Sequence, residues 1–132
     1  MTLRKCGMAV VLLLLLAACG GATPEEEAAK AAKVYYDRLA KGYAERFLEG
    51  KLGVDTMSSD FCEQLVKVNQ MYLDELREKH GGLREVRISP NVGVTDTTLH
   101  VTYAFLLLCF SDSTQEEITV PMVEDGGRWC MK

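Results

Sequence analysis

The chain is poor in the residues that most often carry chemistry. Its 132 residues include two histidines, one tryptophan and three prolines. Lysine and arginine total 15 against 19 acidic residues, a formal charge of −4 with no basic cluster, so nucleic-acid binding has no electrostatic support. The five cysteines contain no Cys-x-x-Cys pair, which leaves a thioredoxin-type redox site unsupported, and their spacing is not that of a compact zinc site. There is also no apolar run of the roughly 20 residues that a bilayer core requires. The stretch from Gly7 to Ala18 is too short to span.

That stretch has another use. Arg4 and Lys5 precede it, and Ala17, Ala18, Cys19 and Gly20 close it with small residues, the pattern of a secretory signal. Leu16-Ala17-Ala18-Cys19 resembles the lipobox of bacterial lipoproteins. The resemblance implies that residues 1–18 are removed and that Cys19 becomes an acylated first residue, holding the protein on a membrane through its acyl chains. An ordinary signal peptide, leaving Cys19 a plain thiol, is the alternative. Gly20 rather than an aspartate follows the cysteine, which resembles the default for transfer to the outer membrane. The acidic Glu25–Glu27 run also looks like surface-export signals of some bacterial groups, so the side of the membrane stays open.

Removing residues 1–18 takes away Arg4 and Lys5 and leaves 114 residues with a formal charge of −6 before histidines and termini. Residues 19–23 form a short tether, and 24–132 form one acidic domain large enough for its own core. Three cysteines remain besides Cys19: Cys62, Cys109 and Cys130.

Thr23-Pro24-Glu25-Glu26 reads as an N-cap, a first-turn proline and a capping-box glutamate. A helix follows with Ala28, Ala32, Tyr35 or Tyr36, Leu39, Tyr43 and Phe47 as its inward stripe, kinked by Gly42 and stopping near Gly50 or Gly53. Ser59 or Asp60 caps a second helix, whose Phe61, Leu65, Val68, Tyr72 and Leu76 recur at helical spacing until His80-Gly81-Gly82 ends it. Beyond Leu83 the period becomes two. Val86 and Ile88, then Leu99 to Leu107 at odd positions, then Ile118, Val120 and Met122, and finally Trp129 with Met131 read as strands. Asp112-Ser113 and Asp125-Gly126 are hairpin turns. The expectation is an α+β fold with two N-terminal helices packed on one face of a curved four-stranded antiparallel sheet.

Val34-Tyr35-Tyr36, Lys41-Gly42-Tyr43, His80-Gly81-Gly82-Leu83 and the closing Val123-Glu124-Asp125-Gly126-Gly127-Arg128-Trp129 are similar to small lipoproteins of the nuclear-transport-factor-two-like, or cystatin-like, superfamily. The resemblance covers most of 24–132 and speaks for the fold. It implies no single function, because the superfamily hosts isomerases, dehydratases, adaptors and secretion accessories. The cystatin inhibitory loop Gln-x-Val-x-Gly is missing, Gln64-Leu65-Val66-Lys67-Val68 being helical in pattern.

Ketosteroid isomerase-like relatives use a cone-shaped pocket with an aspartate base and a tyrosine and acid at the oxyanion. Tyr36, Tyr72, Tyr103 and Trp129 are the candidate lining of such a pocket, or simply core aromatics. No inward aspartate accompanies them. His100 reads as solvent-facing, and nine residues of strand put it about 30 Å from Cys109, too far for a Cys-His pair. Cys62 with Cys109 is the candidate disulfide, Cys130 pointing the other way. Ala104, Leu106, Leu108 and Phe110 form an apolar row on the face away from the helices, a candidate dimer or partner face unless loops or curling of the sheet cover it. The expectation is a lipid-anchored, non-catalytic binding domain of the bacterial envelope without a cofactor. A pocket enzyme of the isomerase-like type is the alternative.

Overall fold

The computed structural model describes residues 21–132; the signal segment and Cys19 lie outside the described residues. Helix α1 (Pro24–Ala40) begins as its sequence requires. The Thr23 hydroxyl accepts from the Glu26 amide at 3.1 Å while the Thr23 amide donates to Glu26 Oε1 at 3.1 Å, closing two of the donors a helix start leaves open. Three acidic residues in the first turn suit the positive end of the helix.

Gly42 does more than kink this helix. It takes φ +89°, a left-handed conformation cheap only for glycine, and α1 ends at Ala40. A separate short helix, α2 (Ala44–Leu48), follows. The break turns Tyr43 out to half exposure instead of into the stripe. A 3-10 turn (Val54–Thr56) leads to α3 (Ser59–His80). Its cap is Ser58, one residue before the expected position, accepting from the Phe61 amide at 3.1 Å. At the other end Gly81, at φ +79°, donates to Arg77 O and Gly82 donates to Leu76 O, the bonding of a glycine-terminated helix.

Strands β1 (Leu83–Asp96), β2 (Val101–Phe110), β3 (Gln115–Asp125) and β4 (Arg128–Met131) form an antiparallel meander in the order β1-β2-β3-β4. Gly50 and Leu52 extend it, Met131 N donating to Gly50 O at 2.7 Å and Leu52 N to Met131 O at 2.8 Å. Within β1 the register slips between Ile88 and Gly93, a bulge in which Val92 adopts φ +58°.

The inward face of β2 is the reverse of the sequence expectation. Ala104, Leu106, Leu108 and Phe110 do not face away from the helices; they are buried against Ala28, Ala29, Ala32 and Tyr35 of α1. The register dictates this, because Ile88 and Val86 lie opposite Leu106 and Leu108 in β1, and Val120 and Ile118 lie opposite Ala104 and Leu106 in β3. Paired residues share a face. The small α1 stripe lets the helix approach the sheet closely, and Ala104 removes bulk from the other side. Tyr103, Phe105 and Leu107 form the outward row instead, half buried on the far face.

Candidate functional site

Helix α3 is the element least absorbed by the core. Of its 22 residues only Leu76 is buried. Phe61 is 47% exposed, Val68 58% and Met71 67%, although the first two belong to the apolar stripe that a packed helix would hide. The helix packs against α2, β1 and α1, and its last residue, His80, is tied to Asp112 of the β2–β3 hairpin.

Beneath its middle lies a cavity of about 190 Å³, walled by Tyr36 of α1, Phe47 and Leu48 of α2, Leu65 and Asn69 of α3, and Val120 of β3. The Tyr36 and Phe47 rings meet edge to face with centroids 5.0 Å apart and planes at 80°, a favourable aromatic geometry. Burial pushes the Tyr36 phenol up to about 12, with the neighbouring Tyr72 phenol adding to the effect, so Tyr36 offers a neutral hydroxyl and not a base. Tyr72 is raised too, by burial first and then by the Glu116 and Glu75 carboxylates. Lys51 stands at the rim and donates to the Lys132 carbonyl at 2.8 Å. On the other side of Leu48 a wider groove of about 530 Å³ runs between α2 and α3, with Leu48, Cys62 and Val66 as its floor and Glu45, Glu63 and Lys67 at its edges.

The four aromatics expected to share a pocket separate. Tyr36 and Tyr72 come together under α3. Trp129 packs on the core beside the first half of α1, its indole N–H donating to Glu27 Oε1 at 3.5 Å. Tyr103 lies on the opposite face of the sheet, for the reason of register given above. The Cys62–Cys109 disulfide is not formed either: Cys62, Cys109 and Cys130 are all free thiols. Cys62 lines the helical groove, whereas Cys109, on the outward parity of β2, directs its Sγ toward Gln115 Oε1 at 3.7 Å. The sheet separates them. Cys130 does share the face of Cys109, but Cys109 pairs with Gln115 and Cys130 with Val123, which puts them roughly 26 Å apart along β3.

One cluster was not legible in the sequence. His80, the last residue of α3, stacks on Phe110 with ring centroids 4.1 Å apart and planes 7° from parallel. Its Nδ1 lies 3.0 Å from Asp112 Oδ2, while the Thr114 hydroxyl donates to Asp112 Oδ1 at 2.5 Å. The Asp112 carboxyl is held down to about 2, first by the Thr114 hydroxyl, then by the Thr114 amide and by His80. The only sequence signal was the Asp-x-Thr turn, which says nothing of a helix end 32 residues away. Cys109 is next in sequence to Phe110 yet points to the other face, so this cluster holds no thiol; its Thr114 hydroxyl is committed to Asp112, and the cluster ties α3 to the β2–β3 hairpin. Among the described residues no three or more histidine, cysteine or acidic side chains gather to hold a metal, and no helix is long and apolar enough to cross a membrane.

No family model matches the chain, and no curated protein does. Among solved structures, a Campylobacter jejuni protein provisionally named an NTF2-like transpeptidase matches 76% of this chain and 92% of its own length, with a TM-score of 0.53 and 15% sequence identity. At that identity the likeness shows the fold and nothing of the chemistry. The fold is thus α+β of the NTF2-like class, helices lying on one face of a four-stranded antiparallel sheet.

Proposed function

We propose that this is a lipid-anchored, non-catalytic binding domain of the bacterial cell envelope, fixed to the outer membrane by acyl chains on Cys19, and that it takes a small apolar ligand beneath α3. The observation that carries the binding role is the space under that helix: a cavity walled mainly by aromatic and aliphatic side chains, with Lys51, Asn69, Thr119 and Lys132 also lining it, beneath a helix that leaves Phe61 and Val68 of its apolar stripe exposed. A soluble domain gains by closing such a space unless something else fills it. An apolar void of about 150 Å³ accepts a benzene-sized molecule, so about 190 Å³ suits one ring or a short branched chain. Asn69 and the Tyr36 hydroxyl supply the few polar contacts that orient such ligands.

The transpeptidase name of the structural neighbour does not transfer. Acyl transfer through a cysteine needs a base within hydrogen-bond reach. Cys62 and His80 share α3 but stand 18 residues apart, about 27 Å along its axis. Secretion of residues 20–132 by an oxidising route, followed by native mass spectrometry, tests the binding reading. A retained small molecule that leaves on denaturation supports it; empty protein that also fails to take up any member of a panel of aromatic and branched aliphatic compounds contradicts it.

A second reading, an isomerase-like pocket enzyme, draws on one observation. Tyr36 and Tyr72 are neighbours, and the Glu116 carboxylate lies near Tyr72, a phenol pair and an acid of the kind such enzymes use. Turnover of a β,γ-unsaturated ketone that disappears in Glu116→Gln would favour this reading; no turnover in the parent protein would remove it.

A further inference from the structure

Which end of the domain meets the membrane follows from the tether. Cys19 and Thr23, the cap of α1, are four residues apart, so a fully extended tether spans at most about 14 Å. The start of α1 is fixed to one end of the sheet. Thr95 Oγ1 donates to Glu25 Oε2 at 2.5 Å and lies 3.0 Å from Thr102 Oγ1, and Trp129 reaches Glu27. Both turns at that end, residues 97–100 between β1 and β2 and Gly126-Gly127 between β3 and β4, are carried beyond these contacts by the strands that enter them.

The first of these turns is built rigidly and spends an apolar side chain on solvent. Asp96 Oδ1 accepts from the amides of Thr98 and Leu99 at 2.9 and 3.0 Å, His100 takes the left-handed φ of +57° that closes the turn, and Leu99 is left 60% exposed. It plays no part in the core. Asp96 opens this turn, and Glu124 and Asp125 enter the neighbouring β3–β4 turn at the same end of the sheet. The nearby Arg128 guanidinium is committed to Glu49 O at 2.5 Å. Such a surface would be repelled by anionic headgroups and would accept neutral, zwitterionic ones.

We propose that the domain stands end-on upon a zwitterionic bilayer, with the 97–100 turn as its contact and Leu99 inserted at the headgroup boundary. The proposal rests on the lipid-anchor reading of Cys19. In this pose the α3 cavity, level with Tyr36 and 13 residues up α1 from Thr23, sits about 20 Å above the tether point. It therefore opens to the aqueous side, and ligand is drawn from water and not from the lipid phase.

The full chain, processed in a lipoprotein-competent host and reconstituted into vesicles of brominated phosphatidylcholine, gives the test. With Trp129→Phe as background, Leu99→Trp and Ser113→Trp place a single indole at the two ends of the sheet. Emission from the Leu99→Trp protein should be quenched about threefold or more and shifted to the blue, as for an aromatic at the headgroup boundary, while that from Ser113→Trp, on the opposite hairpin, should be unchanged. The parent protein, whose one native tryptophan is at the tethered end, should show partial quenching and covers the case in which the Trp129→Phe background folds poorly. Equal quenching at both ends, or quenching of Ser113→Trp alone, overturns the pose. Membrane partition of Cys19→Ser separates the two readings. If that variant leaves the membrane fraction and the parent stays, the anchor stands whatever the quenching shows; if the two partition alike, the anchor and the pose fall together.

Discussion

Tyr36 states in one side chain how this fold treats its cavity. The phenol is neutral because burial raises it from 10.0 to about 12, and that difference is on the order of 2–3 kcal/mol of preference for the neutral form. The stabilisation is fully present below pH 10, where folded and unfolded chains both keep the proton, and it is lost as pH rises toward about 12. Unfolding monitored between pH 9 and 12 should therefore lose part of its alkaline decline in Tyr36→Phe. Nearby, Gly50 is buried with a Cβ-sized gap already occupied: an added Cβ would lie 2.5 Å from Tyr35 ring atoms, and that ring is held by the bond from its hydroxyl to Trp129 O at 2.7 Å. Gly50→Ala should cost about 1–3 kcal/mol, read as a fall in the melting midpoint. Nothing in the sequence distinguishes this glycine from Gly53, three residues on, because its constraint is a long-range neighbour. Gly42 and Gly81 were legible because theirs is local.

At the level of elements, the starts of the two long helices, the four strands and their order could be read from capping residues and periodicity, whereas the break that separates Ala44–Leu48 as its own helix could not. The facing of β2 could not. Val101-Thr102-Tyr103-Ala104-Phe105-Leu106-Leu107-Leu108 is apolar at nearly every position, so alternation alone does not choose a face. The larger odd-numbered side chains suggested one answer, and pairing with the clearly alternating β3 imposed the other. Truncation measures the difference directly: Leu106→Ala should cost about 2–5 kcal/mol, as for a filled core site, and Leu107→Ala on the outward row less than about 1.5 kcal/mol. The His80–Asp112–Thr114 tie makes a further claim about elements. Its carboxyl is depressed from 3.8 to about 2, so its stabilisation is present above about pH 4 and lost as pH falls through about 2. Parent and Asp112→Asn melting curves should differ at neutral pH and converge near pH 2; a gap that persists at pH 2 would mean the tie works through packing and not through charge.

For the molecule as a whole, the sequence reached the NTF2-like class but not its site. The aromatics singled out as pocket residues were chosen for chemistry, and of them only Tyr36 lines the space under α3, with Tyr72 as its neighbour. The cavity is shaped by ordinary residues, Phe47, Leu48, Leu65 and Val120, on three separate elements. No spacing rule connects residues 47, 65 and 120. What the sequence did carry was the excess: a second helix whose stripe from Phe61 to Leu76 is longer than its seat. The unspent apolar surface lies along that stripe and not on the β2 row where alternation had located it.

The most direct test of the cavity as a binding site is titration of the protein with an environment-sensitive aromatic probe, in parallel with Leu65→Trp, which fills the space of about 190 Å³ from the α3 side. The account predicts one-to-one, saturable binding by the parent, at least about tenfold weaker in Leu65→Trp, whose melting point should match or exceed the parent's because a filled cavity restores contacts that a void forfeits. Equal binding by the two proteins, or none by either, would contradict it.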